Sequence, residues 1–132
     1  MNNYRRTHTT VSLINYHFVF CPRYRRNIFL NSKVEERFKS IVKDVCAQLD
    51  IQIIAIETDK DHAHLFLNAL PTRSPSDIMA RIKGTTSKIL REEHKHLSHL
   101  PSLWTRSYFV STAGNVSSET IKRYVEEQKT RG

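Results

Sequence analysis

Two histidines flanking one small residue, His62-Ala63-His64, form the pair in this sequence with the clearest capacity for chemistry. The surrounding residues 61–70 alternate in polarity and predict a β-strand. Successive strand side chains point to opposite faces, so both imidazoles emerge on one face, about 7 Å apart along the backbone. Ala63, Leu65 and Leu67 point the other way, toward whatever packs behind the sheet. Imidazoles so placed can close on one divalent metal ion, but two ligands leave its shell incomplete. A third ligand has to come from elsewhere, and open positions remain for water or a phosphate oxygen. The same pattern also describes a polar strand face or two hydrogen-bonded histidines, and residues 61–70 alone do not separate these readings.

The elements that must hold this strand follow in order. Residues 11–20 are rich in β-branched and aromatic types and predict a first strand, ended by Pro22 and preceded by a polar lead-in. Arg23, Tyr24, Arg25 and Arg26 then form a basic loop around an aromatic, which suits single-stranded nucleic acid: cations grip phosphates and a ring stacks on a base. Ser32 and Glu35 have the spacing of a capping box, opening a helix to about Gln48. Val34, Phe38, Ile41, Val42, Val45 and Leu49 recur on it as a core-facing stripe. Residues 51–57 predict a second strand, joined by the turn at 58–61 to the histidine strand, so these two pair as an antiparallel hairpin with the histidines on an inner strand.

Ser74 and Pro75 open a second helix to about Glu93. Ile78, Ile82 and Ile89 give it a buried face, while Arg81, Lys83 and Lys88 are candidates for phosphate contact. Residues 104–112 predict a fourth strand with Trp104, Arg106, Tyr108 and Val110 on one face. Strand, helix, strand, strand, helix, strand is the order of a ferredoxin-like α+β fold, an antiparallel sheet with both helices on one face and the other open to a ligand. Residues 113–118, around Gly114, read as a flexible linker between this core (11–112) and a C-terminal helix at 119–130. On that helix Tyr124 and Gln128 lie one turn apart on the same face; alone, Tyr124 reads as an anchoring core aromatic.

A chain of 132 residues forms one domain. Its 21 Lys and Arg against 13 acidic residues, a net charge of +8, point to a polyanion as partner, nucleic acid before an anionic membrane surface. No apolar run nears the ~18 residues needed to span a bilayer, and no signal peptide is evident, so the expected location is the cytoplasm. Cys21 and Cys46 read as free thiols of a reducing compartment. His94, His96 and His99 are spaced for metal but sit in a polar connection before Pro101, where nothing apolar would hold them rigid.

Four pieces in the right order carry a family resemblance over nearly the whole chain: residues 15–26, Asp61-His62-Ala63-His64-Leu65, the pairs Leu103-Trp104 and Tyr108-Phe109, and residues 121–128. The chain resembles the single-tyrosine HUH transposases of small bacterial and archaeal insertion sequences. Ala63 is smaller than the valine usual between the two histidines of that family. The resemblance implies that Tyr124 is the nucleophile, that His62, His64 and Gln128 hold Mg²⁺ or Mn²⁺, and that single-stranded DNA is cut and rejoined through a 5′-phosphotyrosine without ATP. It also implies DNA hairpins at the element ends as partners and a homodimer with composite active sites. A domesticated relative processing repeated chromosomal hairpins is one alternative; a non-catalytic single-stranded nucleic-acid-binding module is another. Base-stacking modules on such sheets usually present aromatics on the middle strands, and here the hairpin presents histidines.

Overall fold

The computed structural model describes residues 4–112 and 118–132. The chain first makes a small ribbon in which β1 (Arg5–Arg6) pairs with β2 (Val11–Ser12). The main sheet is antiparallel, with β3 (Ile14–Phe20), β4 (Gln52–Asp59), β5 (His62–Ala69) and β6 (Phe109–Ser111) in the order β4-β5-β3-β6. Helices α1 (Ser32–Gln48) and α2 (Pro75–Glu93) pack together over one face. This is the expected α+β arrangement, with β5 inside the sheet.

Alternation along β5 places Ala63, Leu65 and Leu67 in the core with no exposure. Beneath them lie Phe18 and Phe20 from β3, Phe38 and Ile41 from α1, and Ile78 and Ile82 from α2. Trp104 completes this layer, edge-to-face with Phe20 at 4.8 Å between ring centroids. The indole N–H donates to Thr86 Oγ at 2.9 Å, so the one polar atom of the ring is satisfied inside the core. Phe38 has no exposed surface and sits among Phe20, Phe29 and Trp104 with centroids 5.0–6.1 Å away. Phe38→Ala is therefore expected to cost about 3–5 kcal/mol, read as a lower denaturant midpoint with unchanged slope.

Four local expectations are corrected. The first strand is interrupted at Leu13, and the lead-in is anchored: Arg5 is buried, donates to Asn68 Oδ1 at 3.0 Å and pairs with Asp50 at 3.0 Å. The cap of α1 is Asn31, whose Oδ1 accepts from the N–H groups of Lys33 and Val34, while the Glu35 carboxylate accepts from the Thr58 hydroxyl instead of closing a capping box. The fourth strand shrinks to β6, with only a bridge from Trp104 to Pro22 before it. Carbonyls there are claimed from below: Lys83 Nζ donates to Thr105 O at 2.7 Å and Ser107 O at 3.0 Å, which removes them from any ladder. Trp104 is buried and Arg106 exposed, so they do not share a strand face.

The final helix, α3 (Ser118–Glu127), continues as a 3₁₀ turn, Gln128–Thr130. The expected linker at 113–118 lies outside the described residues, except that the helix backbone begins at Ser118. The second sheet face is not left wholly open. Val125 packs on Val19 and Cys21, with Ile121, Tyr124 and Phe109 around them, so α3 covers the β3–β6 side of that face.

Candidate active site

The register of the sheet brings three histidines together. His62 and His64 lie on the α3-facing side of β5, and β3 places Val19 opposite His64 and His17 opposite Phe66. The His62 and His64 ring centroids are 4.9 Å apart. Two imidazoles binding one octahedral ion through nitrogens at about 2.1 Å, roughly 90° apart, have centroids roughly 4.6 Å apart, so this pair fits a shared Mg²⁺ or Mn²⁺.

Each ring is held from behind through Nδ1. His62 Nδ1 is 2.9 Å from Asp61 Oδ1. The Asp61 carboxylate is buried and accepts from Arg25 Nε at 2.9 Å, with a second guanidinium nitrogen at 2.8 Å. Burial opposes its charge, but the hydrogen bonds from His62 and Arg25, and the Arg25 charge, hold its pKa below the usual carboxylate range. His64 Nδ1 lies 3.1 Å from His17 Nε2. Burial, then repulsion from His62 and His17, pushes the His64 pKa down to about 4. His64 is thus neutral at pH 7, the form that ligates metal.

A cavity of about 520 Å³ opens beside this pair, lined on its α3 side by Ile121, Lys122, Val125 and Glu126. Tyr124 and Gln128 occupy another side of the helix. Ser107 Oγ donates its one proton to Gln128 Oε1 at 2.9 Å, so the Tyr124 hydroxyl, 2.9 Å from Ser107 Oγ, donates to Ser107. Burial pushes the Tyr124 pKa up to about 12, only partly offset by its hydrogen bond with Ser107. The structure therefore joins His62 with His64, and Tyr124 with Gln128, but does not bring the two pairs together within one chain. Among the described residues no group of three His, Cys, Asp or Glu side chains could hold a metal ion. The histidine pair has the spacing to share a metal ion, and Gln128 is bonded to Ser107 rather than to either imidazole.

The candidate DNA contacts divide. Arg25 is committed to Asp61 and, at 3.2 Å, to Glu126 of α3, so it is no free phosphate ligand. Lys83 is also taken, by two carbonyls, and burial pushes its pKa down to about 8. Each of these cations already has acceptors within its own chain, the Asp61 and Glu126 carboxylates for Arg25 and two backbone carbonyls for Lys83. Arg26 and Tyr24 are exposed, with the guanidinium 5.6 Å from the ring centroid, and Arg81 and Lys88 are exposed on α2. Arg23 is half-buried, and its backbone N–H donates to Leu103 O. Tyr24 and Arg25 both adopt left-handed backbone angles, φ 57° and 51°, and Tyr24 N–H donates to Arg131 O at 2.6 Å. The basic loop thus clasps the end of the tyrosine helix.

Sequence reasoning missed Asp61, His17 and Ser107 as parts of the site. Asp61 directly before the histidine was a signal, because a ligating imidazole commonly donates to a carboxylate. His17 was visible as a polar residue inside an apolar strand. Nothing marked Ser107.

The sequence matches the family described as transposase IS200 like over residues 10–128. It is 33% identical over 120 residues to a transposase for insertion sequence element IS200 from Salmonella typhimurium, covering 86% of this chain and 78% of that one. It is 28% identical over 118 residues to the ISDra2 transposase TnpA of Deinococcus radiodurans, covering 87% and 84%. A crystal structure from Deinococcus radiodurans R1, assigned as a transposase, superposes with a TM-score of 0.85 at 27% identity over 94% of this chain and 97% of that one. A REP-associated tyrosine transposase bound to a REP hairpin shares the fold, with a TM-score of 0.59 at 17% identity over 96% of this chain and 69% of that one. Match length and identity agree with the fold and the histidine strand: the chain belongs to the IS200-like transposase family.

Proposed function

We propose that this transposase cuts and rejoins single-stranded DNA at the ends of its insertion sequence, with Tyr124 as nucleophile and Mg²⁺ or Mn²⁺ held by His62, His64 and Gln128. The observation that carries the reading is the histidine pair: two rings on one face, each with Nδ1 already engaged and Nε2 left over. A bound divalent ion supplies Lewis-acid polarisation of the scissile phosphate. The Tyr124 oxygen attacks the phosphorus, the bond to the 3′-oxygen breaks, and that oxygen leaves as a hydroxyl carrying the proton. A second 3′-hydroxyl then attacks the phosphotyrosine, joining the strands and returning the proton to Tyr124. Phosphodiester count is conserved, so no nucleotide cofactor is required. Gln128 offers a neutral amide oxygen, a hard ligand, from the same helix as the nucleophile. Hairpins at the element ends are the proposed DNA partners, gripped by exposed cations such as Arg26, Arg81 and Lys88.

The separation of Tyr124 and Gln128 from the histidines supports a homodimer in which the tyrosine helix of one chain serves the histidines of its partner. Oligonucleotides of the element's own ends test the metal requirement. Cleavage with Mg²⁺ is expected to fall by at least about 10²-fold with a chelator, or in His62→Ala, while DNA binding persists. Undiminished cleavage in chelator would remove the metal from the reading.

A further inference from the structure

His17 is the third imidazole at the site, and the metal reading leaves it without a task. It comes from β3, not from the histidine strand, and the ladder fixes it opposite Phe66. Its ring lies on that of Phe66, with centroids 4.2 Å apart and planes 16° apart, and stands T-shaped to Phe109 with centroids 6.2 Å apart. Packing on two sides leaves it little freedom to turn. Its Nε2 faces His64 Nδ1 at 3.1 Å.

Between two neutral imidazoles only one of the facing nitrogens carries the proton. If His17 donates, His64 Nδ1 accepts, the His64 proton sits on Nε2, and that nitrogen cannot bind a metal. If His64 donates, its Nε2 keeps a free lone pair. The second arrangement reproduces at His64 what Asp61 accomplishes at His62, where the carboxylate can only accept. We propose that His17 is a positioning residue, whose Nε2 accepts the Nδ1 proton of His64 and thereby leaves His64 Nε2 as the ligating nitrogen. The inference rests on the proposed metal site, and it assigns the neighbouring strand a part in building that site.

Long-range ¹H–¹⁵N correlation of the histidine rings, with Mn²⁺ titration followed by electron paramagnetic resonance, tests it. In the metal-free unaltered protein His64 is expected as the Nδ1–H tautomer. His17→Phe keeps a ring against Phe66 but removes the acceptor. It should populate the Nε2–H tautomer of His64 and raise the Mn²⁺ dissociation constant about 10-fold. His17→Gln restores an acceptor oxygen and should recover most of the affinity, which a purely packing role would not predict. The melting temperature and metal-free DNA affinity of each variant check that the fold is kept. An Nε2–H tautomer in the unaltered protein overturns the inference even if neither variant folds. Unchanged Mn²⁺ affinity in a folded His17→Phe protein overturns it alone, whereas no Mn²⁺ binding by the unaltered protein overturns the metal site and this inference together.

Discussion

Tyr124→Phe is expected to bind element-end DNA within about twofold of the unaltered protein and to form no covalent adduct, because affinity resides in cations and the adduct in one oxygen. Strand cleavage should fall on the order of 10³-fold or more, as loss of a nucleophile does elsewhere. The docked tyrosine already shows why placement matters. With its pKa raised to about 12, only about one phenol in 10⁵ is ionised at pH 7. Its proton is also committed to Ser107. In this position the phenol keeps its proton, and the proposed reaction needs the hydroxyl to leave Ser107. A denaturing gel after incubation with labelled DNA gives the readout. A persistent adduct would move the nucleophile to another tyrosine, with Tyr4, Tyr16, Tyr24 and Tyr108 to be tested in turn.

Activity is expected to return when two inactive proteins are mixed. His64→Ala lacks a metal ligand and Tyr124→Phe lacks the nucleophile. In a composite homodimer, the mixed species holds one intact site, with histidines from one chain and tyrosine from the other. Random subunit exchange makes half the dimers mixed, each with one good site of two, so about one quarter of the unaltered activity should reappear. The single chain motivates this. Its own α3 turns Ile121, Lys122, Val125 and Glu126 to the histidine cavity and keeps Tyr124 and Gln128 on Ser107. Mixed dimers that form but stay inactive would mean that α3 re-docks on its own sheet.

The fold was readable because its signals are periodic. The two helix stripes and the alternation around His62 and His64 each repeat a spacing that burial enforces, and α2 runs from Pro75 to Glu93 as its cap and stripe predict. The histidine pair was readable for the same reason. Partnership was harder, because it depends on residues distant in sequence. Arg25 and Lys83 look like free cations in the sequence, yet their acceptors lie 36 residues away at Asp61 and 22 and 24 away at Thr105 and Ser107. Residues 105–108 look like a strand by composition, yet the Lys83 ammonium takes the carbonyls of Thr105 and Ser107. Asn31 outcompetes Ser32 as cap because its side chain reaches two free N–H groups while Glu35 is drawn to Thr58.

The position of Lys83 also bears on how such a protein can diverge. Lys83 belongs to the helical layer, yet its ammonium fixes the carbonyl of Ser107, the residue that holds Tyr124 and Gln128 across the sheet. The scaffold side and the chemical side of the molecule are therefore not free to drift separately. A substitution that repacks α2 around this lysine therefore acts on the same residue that holds Tyr124 and Gln128.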